Sequence, residues 1–373
     1  MDKTPATSGE SAKNTPEKAV LYQDMYGNNY EVELPLTSKV DPEEIRGKLG
    51  LPNYIDLGYY PMKNALVTIW AALNAAELHK LYPPAFPKRI SDKPITVLMF
   101  GGAAVKILCG NANGNSPLAR KMKDTDFIVP KKQGSNFYKL LLGMDKAFGT
   151  RYTSFRTKSD AIFNGMRYGE RYRIRTVNGV TEEGVPTVTV LDIFCDSINL
   201  RHKVEVKEAF EKYRENLYTI GLENLIMSKA QFILDFPKEG LAELKKNGCE
   251  YRILPYPYYA ANMVVLGMEE KDVKDVCAIF LDHPVGKRNG KNGEIDADRM
   301  RKALEKDSKL ALTITLNLRN VAEKPETLER WMKKPDVAIV VDRIRTLLEV
   351  LPKVDKKWDK PWWNTAVETP MIE

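Results

Sequence analysis

The chain has 373 residues, 43% hydrophobic and 29% charged. These are the proportions of a globular protein with enough apolar material for a large core, so fibrous, collagen-like and wholly disordered readings are excluded. Lys plus Arg is 57 against 50 for Asp plus Glu, a formal charge of +7, which is compatible with a polyanionic partner without requiring one.

Residues 1–18, rich in Ser, Thr, Pro and Lys, are expected to form a disordered arm. They contain no apolar stretch of the kind a secretory signal needs. Pro61–Tyr82 has helical apolar spacing with Pro in the first turn. Its uncharged run, Asn64–Ala76, is too short to cross a bilayer, so a soluble, cytoplasmic protein is expected. Pro94–Phe100 is a continuous apolar run of buried-strand length, and it runs into Gly101-Gly102 and a short helix. After the loop GNANGNSPLA, Lys123–Val129 predicts a strand ending at Pro130, and Phe137–Phe148 a helix. Ala161–Val177 and Pro186–Cys195 predict two further strands. Beyond residue 200 the period turns helical over Lys203–Leu217, Leu222–Asp235, Lys271–Asp282, Asp296–Lys306 and Pro335–Leu351. The expected organisation is α+β: a mixed-sheet domain over 19–205, a helical domain over 206–352, and an aromatic, basic tail over 353–373.

The four cysteines (Cys109, Cys195, Cys249 and Cys277) form no CxxC pair and lie at no zinc-site spacing from the three histidines. Free thiols in a reducing compartment are expected.

The chemistry concentrates in carboxylates. On a strand, Asp124 and Asp126 point to one face, and two such close charges are stabilised by a hard divalent cation such as Mg²⁺. Gly101 and Gly102 lack side chains, so the backbone can approach a phosphate at the start of a helix. Asp192 shares a strand face with Val188 and Val190 and needs either a metal or an Arg partner. Between Arg151 and Arg175 lie seven basic residues (Arg151, Arg156, Lys158, Arg167, Arg171, Arg173, Arg175) against two acids (Asp160, Glu170). Tyr152, Phe155, Tyr168 and Tyr172 are interleaved, a pattern suited either to phosphates and stacked bases or to a solvated strand face.

Taken together, the Gly-Gly turn, the Asp-x-Asp strand and the later acid resemble the nucleotidyltransferase superfamily that includes DNA polymerase beta and the aminoglycoside nucleotidyltransferases. The resemblance implies a nucleotidyltransferase-like mixed sheet, with Gly101 and Gly102 at the triphosphate and two Mg²⁺ (or Mn²⁺) ions on Asp124, Asp126 and Asp192. Ile220–Leu234 and Glu269–His283 look like the abortive-infection AbiEii-type branch. That branch would place Lys229, Arg120, Asp272 and Asp275 among the nucleotide-binding residues. It departs from the pattern in the long loop between the glycines and Asp124, and in the Tyr- and Pro-rich insert ILPYPYYAANMVV. The likeness covers roughly residues 60–285.

It implies transfer of an NMP from an NTP to an acceptor hydroxyl, on an RNA or tRNA 3′ end or on a protein, by in-line displacement. Asp192 would also serve as general base. The branch further implies a toxin or defence role with an antitoxin protein as partner. A different class of function, a non-catalytic nucleotidyltransferase-like module binding nucleic acid or a partner, uses the same sheet. A third, modification of a small antibiotic-like molecule, needs an acidic pocket. A P-loop is excluded, because GKRNGKNG has neither the spacing nor a preceding apolar strand. The Trp-rich end, KKWDKPWW, could stack bases or pack on its own domain.

Overall fold

In the computed structural model, the described residues are 17–23, 29–34, 41–57, 60–122, 125–148, 158–167, 169–180, 186–248, 250–256, 261–286, 293–355, 358 and 360–365. The terminal arm through residue 16, Asp124 and Cys249 therefore lie outside them.

The chain begins with a hairpin, β1 (Glu17–Gln23) with β2 (Asn29–Leu34), followed by α1 (Pro42–Lys48), α2 (Tyr60–Leu73) and α3 (Leu78–Leu81). Next come β3 (Leu98–Phe100), α4 (Gly101–Leu108), β4 (Asp126–Val129), α5 (Gly134–Phe148), α6 (Lys158–Met166), β5 (Arg171–Val180) and β6 (Pro186–Cys195). Four of these strands form one mixed sheet in the order β3-β4-β6-β5. Strands β4 and β6 run parallel, whereas β3 and β5 pair antiparallel to their neighbours.

The second half is less helical than its periodicity predicts. Lys203–Leu217 gives β8 (Lys203–Glu205), paired with β7 (Ser197–Asn199), and only a short helix, α7 (Lys207–Glu211). The helix α8 (Leu222–Ala230) stops before Phe232, and Leu234–Pro237 becomes β9. Beyond α9 (Leu241–Lys246), strands β10 (Tyr251–Leu254) and β11 (Met263–Glu269) complete an antiparallel sheet in the order β10-β11-β9. A strand here buries Leu234 against Leu244 and Leu266, which a continued helix would not. Helices α10 (Glu270–Asp282), α11 (Ala297–Leu304), α12 (Ser308–Glu323) and α13 (Lys334–Val350) close the half, with a small parallel pair, β12 (Val285–Gly286) and β13 (Ile295–Asp296), between the first two. In the first half, Ala161–Val177 is likewise not one strand: α6 packs on β5, and the chain turns at Gly169 (φ +77°) before β5 starts.

One buried apolar cluster runs from Ile45 to Leu351, so the sheet and the helices after it share a core. The segment 218–220 lies along the free edge of β3: the Met99 amide donates to the Tyr218 carbonyl (2.8 Å) and the Ile220 amide to the Met99 carbonyl (3.1 Å). Left-handed backbone at Leu217, Tyr218 and Gly221 then steers the chain off the sheet into α8. A second cluster holds the C-terminal tryptophans. Trp362 and Trp363 are buried beside Ile233, Leu254 and Leu316, and Trp362 Nε1 donates to Thr313 Oγ1 (2.9 Å). These two rings pack on the chain itself and are not presented to bases. Cys109, Cys195 and Cys277 are free and buried. No helix among the described residues is long and apolar enough to cross a membrane.

Candidate functional site

The site is built around the turn from β3 into α4. Gly101 has φ +64°, and a Cβ there would lie 2.5 Å from Asp126 Oδ2. A Cβ on Gly102 would lie 2.7 Å from Arg120 Nη2. The two glycines thus let a carboxylate and a guanidinium press against the first turn of α4, whose leading amides have no partner within the helix. Asp126 opens β4 opposite Phe100, and Thr125 just before it is buried and donates to the Pro61 carbonyl of α2 (2.8 Å). That anchor fixes where the Asp-x-Asp segment enters the sheet, and the polarity of the motif had hidden it. Asp124 itself lies outside the described residues.

Arg120 reaches Gly102 because the loop after α4 is tied down. The Asn113 amide donates to the Lys106 and Cys109 carbonyls (2.8 and 2.9 Å), and the buried Lys106 ammonium donates to the Ala112 carbonyl (2.9 Å). The Asn111 amide bonds the Asp282 carboxylate at the end of α10 (3.0 Å). A Gly- and Asn-rich loop is ordered here by side chains bonding to backbone.

Behind the glycine turn, α8 and α10 contribute a charged cluster. Arg120 forks onto Asp275, Nε to Oδ1 at 2.9 Å and Nη2 to Oδ2 at 2.7 Å. Lys229 Nζ lies 2.8 Å from Asp275 Oδ2 and 3.0 Å from Asp272 Oδ1. Asp275 is only 3% exposed. Burial alone would raise its pKa, but Lys229 and Arg120 outweigh burial and hold the carboxyl down at about 2. For Lys229 burial pulls the other way, and Asp275 with Asp272 more than offsets it, so the ammonium stays charged. The expectation that Asp272 and Asp275 contact nucleotide is corrected to this extent: one face of α10 presents them to two cations, and Asp275 is sealed between those cations.

Asp192 stands where the sequence placed it but with different partners. Phe127 pairs with Ile193 across parallel strands, so Asp126 and Asp192, one step earlier on each, are neighbours. Arg173 is the cross-strand partner of Asp192 on β5. Its Nε lies 3.1 Å from Asp192 Oδ1, and Arg171 Nη2 bonds Oδ2. Both guanidiniums stack on aromatics: Arg173 sits 4.0 Å from the Phe163 ring centroid, and Arg171 4.5 Å from that of Phe194. Asp192 was expected as metal ligand and general base, yet its oxygens accept from two arginines. The reason is the strand period, which sets Arg171 and Arg173 on the face that Asp192 occupies.

Among the described residues, no group of three or more His, Cys, Asp or Glu is assembled to hold a metal ion. Of the basic, aromatic stretch, Arg151, Tyr152, Phe155, Arg156 and Tyr168 lie outside the described residues, as do the side chains of Lys158, Asp160 and Arg175. The donor chemistry at Asp126 suits a hard cation, a carboxylate against a glycine turn whose amides favour phosphate.

No protein-family model, curated protein or solved structure matches this chain.

Proposed function

We propose that this chain is a nucleotidyltransferase that moves an NMP from an NTP to an acceptor hydroxyl. One observation carries the reading: Gly101 and Gly102, 18 to 174 residues away from Arg120, Asp126, Lys229, Asp272 and Asp275 in sequence, meet those side chains or their direct partners around one helix start. The leading amides of α4 would receive the β- and γ-phosphates. Arg120, fixed in the plane of Asp275, would neutralise their charge from one side and Lys229 from the same cluster. Asp126, with Asp124 two residues before it in the sequence, would hold Mg²⁺. The cation, when bound, supplies Lewis-acid polarisation of a phosphoryl oxygen. The remaining task for the protein is to align the acceptor oxygen with the departing pyrophosphate.

The test is transfer of label from each α-³²P NTP to total cellular RNA and protein, for wild type and Asp126→Asn. Label on an acceptor with wild type, and a loss of about 10²-fold or more in the variant, is the expected result. Equal transfer by both proteins would end the reading.

A second reading is favoured by the arginine partners of Asp192: a module that binds NTP or nucleic acid and performs no transfer. Calorimetry showing tight Mg²⁺–NTP binding in a protein that labels nothing would select it.

A further inference from the structure

Resting on the nucleotidyltransferase reading, we infer that Arg171 and Arg173 bind the backbone phosphates of a nucleic-acid acceptor, with Asp192 holding their forks in position. The order across the sheet assigns the side. The glycine turn closes β3, Asp126 opens β4, Asp192 follows on β6, and Arg171 and Arg173 lie on β5. Two strand spacings separate the Asp126 and Arg173 backbones, roughly 10 Å. In an in-line displacement the leaving pyrophosphate and the attacking hydroxyl lie on opposite sides of the α-phosphorus. With the polyphosphate at α4, Arg120 and Lys229, the acceptor enters from the β5 side, where β5 is the outer strand of its sheet.

The local chemistry suits phosphate. Each guanidinium lies over an aromatic ring and directs its edge at an oxyanion, which is the arrangement in which Arg binds planar or tetrahedral oxyanions. Asp192 is that oxyanion in the free protein. Both side chains keep part of their surface open to solvent, 24% for Arg171 and 17% for Arg173, so a phosphate can reach the pair from outside the sheet. The Asn164 side chain fixes the β5 backbone at Arg173, donating to its carbonyl (2.8 Å) and accepting from its amide. Two fixed guanidiniums two residues apart make a subsite that a phosphodiester strand fills and a lone serine or tyrosine hydroxyl does not. The acceptor is therefore a nucleic acid and not a protein.

The probe is a short fluorescein-labelled single-stranded RNA with a free 3′-hydroxyl, titrated by anisotropy over a salt series. Removing both arginines would leave Asp192 unpaired, so Arg171→Gln/Arg173→Gln is made on an Asp192→Asn background and compared with Asp192→Asn alone. The expected result is RNA binding weaker by about tenfold or more, and a slope of log K against log salt smaller by about 1.4, which is two contacts at ~0.7 each. NTP affinity by calorimetry stays unchanged. The conservative Arg171→Lys/Arg173→Lys keeps the salt slope and loses affinity, because the ammonium lacks the fork. Unchanged RNA affinity and slope, or NTP affinity falling in parallel, overturns the assignment; so does wild-type label appearing on protein with excess RNA failing to compete. RNA binding is read without turnover, so its outcome is separate from the Asp126→Asn transfer assay that tests the enzyme reading.

Discussion

Asp275→Asn gives the sharpest physical test of the charged cluster. The substitution keeps the shape of the side chain and removes one charge. Lys229 retains Asp272 as a partner at 3.0 Å, and the Arg120 fork loses the carboxylate that it grips with two hydrogen bonds. Breaking a buried pair by deleting one partner costs about 3–5 kcal/mol, because the stranded charge is no longer compensated. The proton linkage gives an independent figure. The Asp275 pKa falls from 3.8 to about 2 on folding. At about 1.4 kcal/mol per unit, that is about 2.5 kcal/mol of stability at neutral pH. The sign follows from the depressed value. This stability is fully present above about pH 4 and is lost as pH falls through 2. Urea unfolding of wild type and Asp275→Asn, followed by tryptophan fluorescence, should show a gap of about 3 kcal/mol or more at pH 7 that narrows below pH 4. Asp272→Asn, at a site with one contact and more exposure, should cost under half as much. A gap below 1 kcal/mol, or one that does not change between pH 6 and 3, would mean that Asp275 is solvated and that Arg120 is positioned by something else.

The remaining predictions concern neighbouring features. Gly101→Ala forces a non-glycine residue to φ +64° and should destabilise by about 1–2 kcal/mol, whereas Gly165→Ala, in the open space on α6, should be neutral or slightly stabilising by thermal melting. Gly102→Ala should displace the Arg120 guanidinium, so it should both weaken NTP binding in calorimetry and lower the melting temperature by disturbing the Asp275 pair; equal NTP affinity would remove Arg120 from the site. Trp362→Ala, at a buried position bonded to Thr313, should cost about 3–5 kcal/mol in chemical denaturation. His202 is buried against Thr313, and burial holds its pKa at about 4. The unfolded chain takes up a proton at 6.5 and the folded chain does not, so stability is full above pH 6.5 and falls by roughly 3 kcal/mol as pH drops to 4. His202→Gln should remove that slope from a pH series.

The parts of the site that were legible in the sequence are those set by local rules. A glycine pair between an apolar run and a helix, and carboxylates at period two on a strand, are local patterns. The lysine and the two acids spaced for one helix face are also local; the glycine turn, Asp126, Lys229, Asp272 and Asp275 lie on the elements expected for them, whereas Asp124 is outside the described residues. What could not be read depends on pairing between strands. Nothing in VTVLDIFC says that Asp192 faces Arg173; that follows from β5 running antiparallel beside β6 in one particular register. The same limit applies to β9, where the apolar run after α8 fits a helix as well as a strand until β11 supplies its partner.

This asymmetry bears on the chemistry. Asp124 and Asp126 are expected to hold a cation from solution because like charges on one strand face repel each other, Asp192 to take a metal or an arginine, and Asp275 to sit at the nucleotide; at Asp192 and Asp275 the second kind of partner is what forms. For those two acids the fold supplies the cations itself. Arg120 and Lys229 come to Asp275 from the loop after α4 and from α8, and Arg171 and Arg173 come to Asp192 from the next strand. A carboxylate paired in this way fixes the direction of a guanidinium, and a fixed guanidinium is a better phosphate ligand than a mobile one, since less conformational freedom is lost when phosphate binds. Asp275 and Asp192 thus play parallel parts, the first holding Arg120 beside Gly102 and the second holding Arg171 and Arg173 on the strand next to its own. If that equivalence is correct, neutralising either acid should loosen its arginines and weaken a different ligand: NTP for Asp275 and the acceptor strand for Asp192. Loss of the same ligand in both variants would show that the two clusters serve one phosphate group and that the acceptor enters elsewhere.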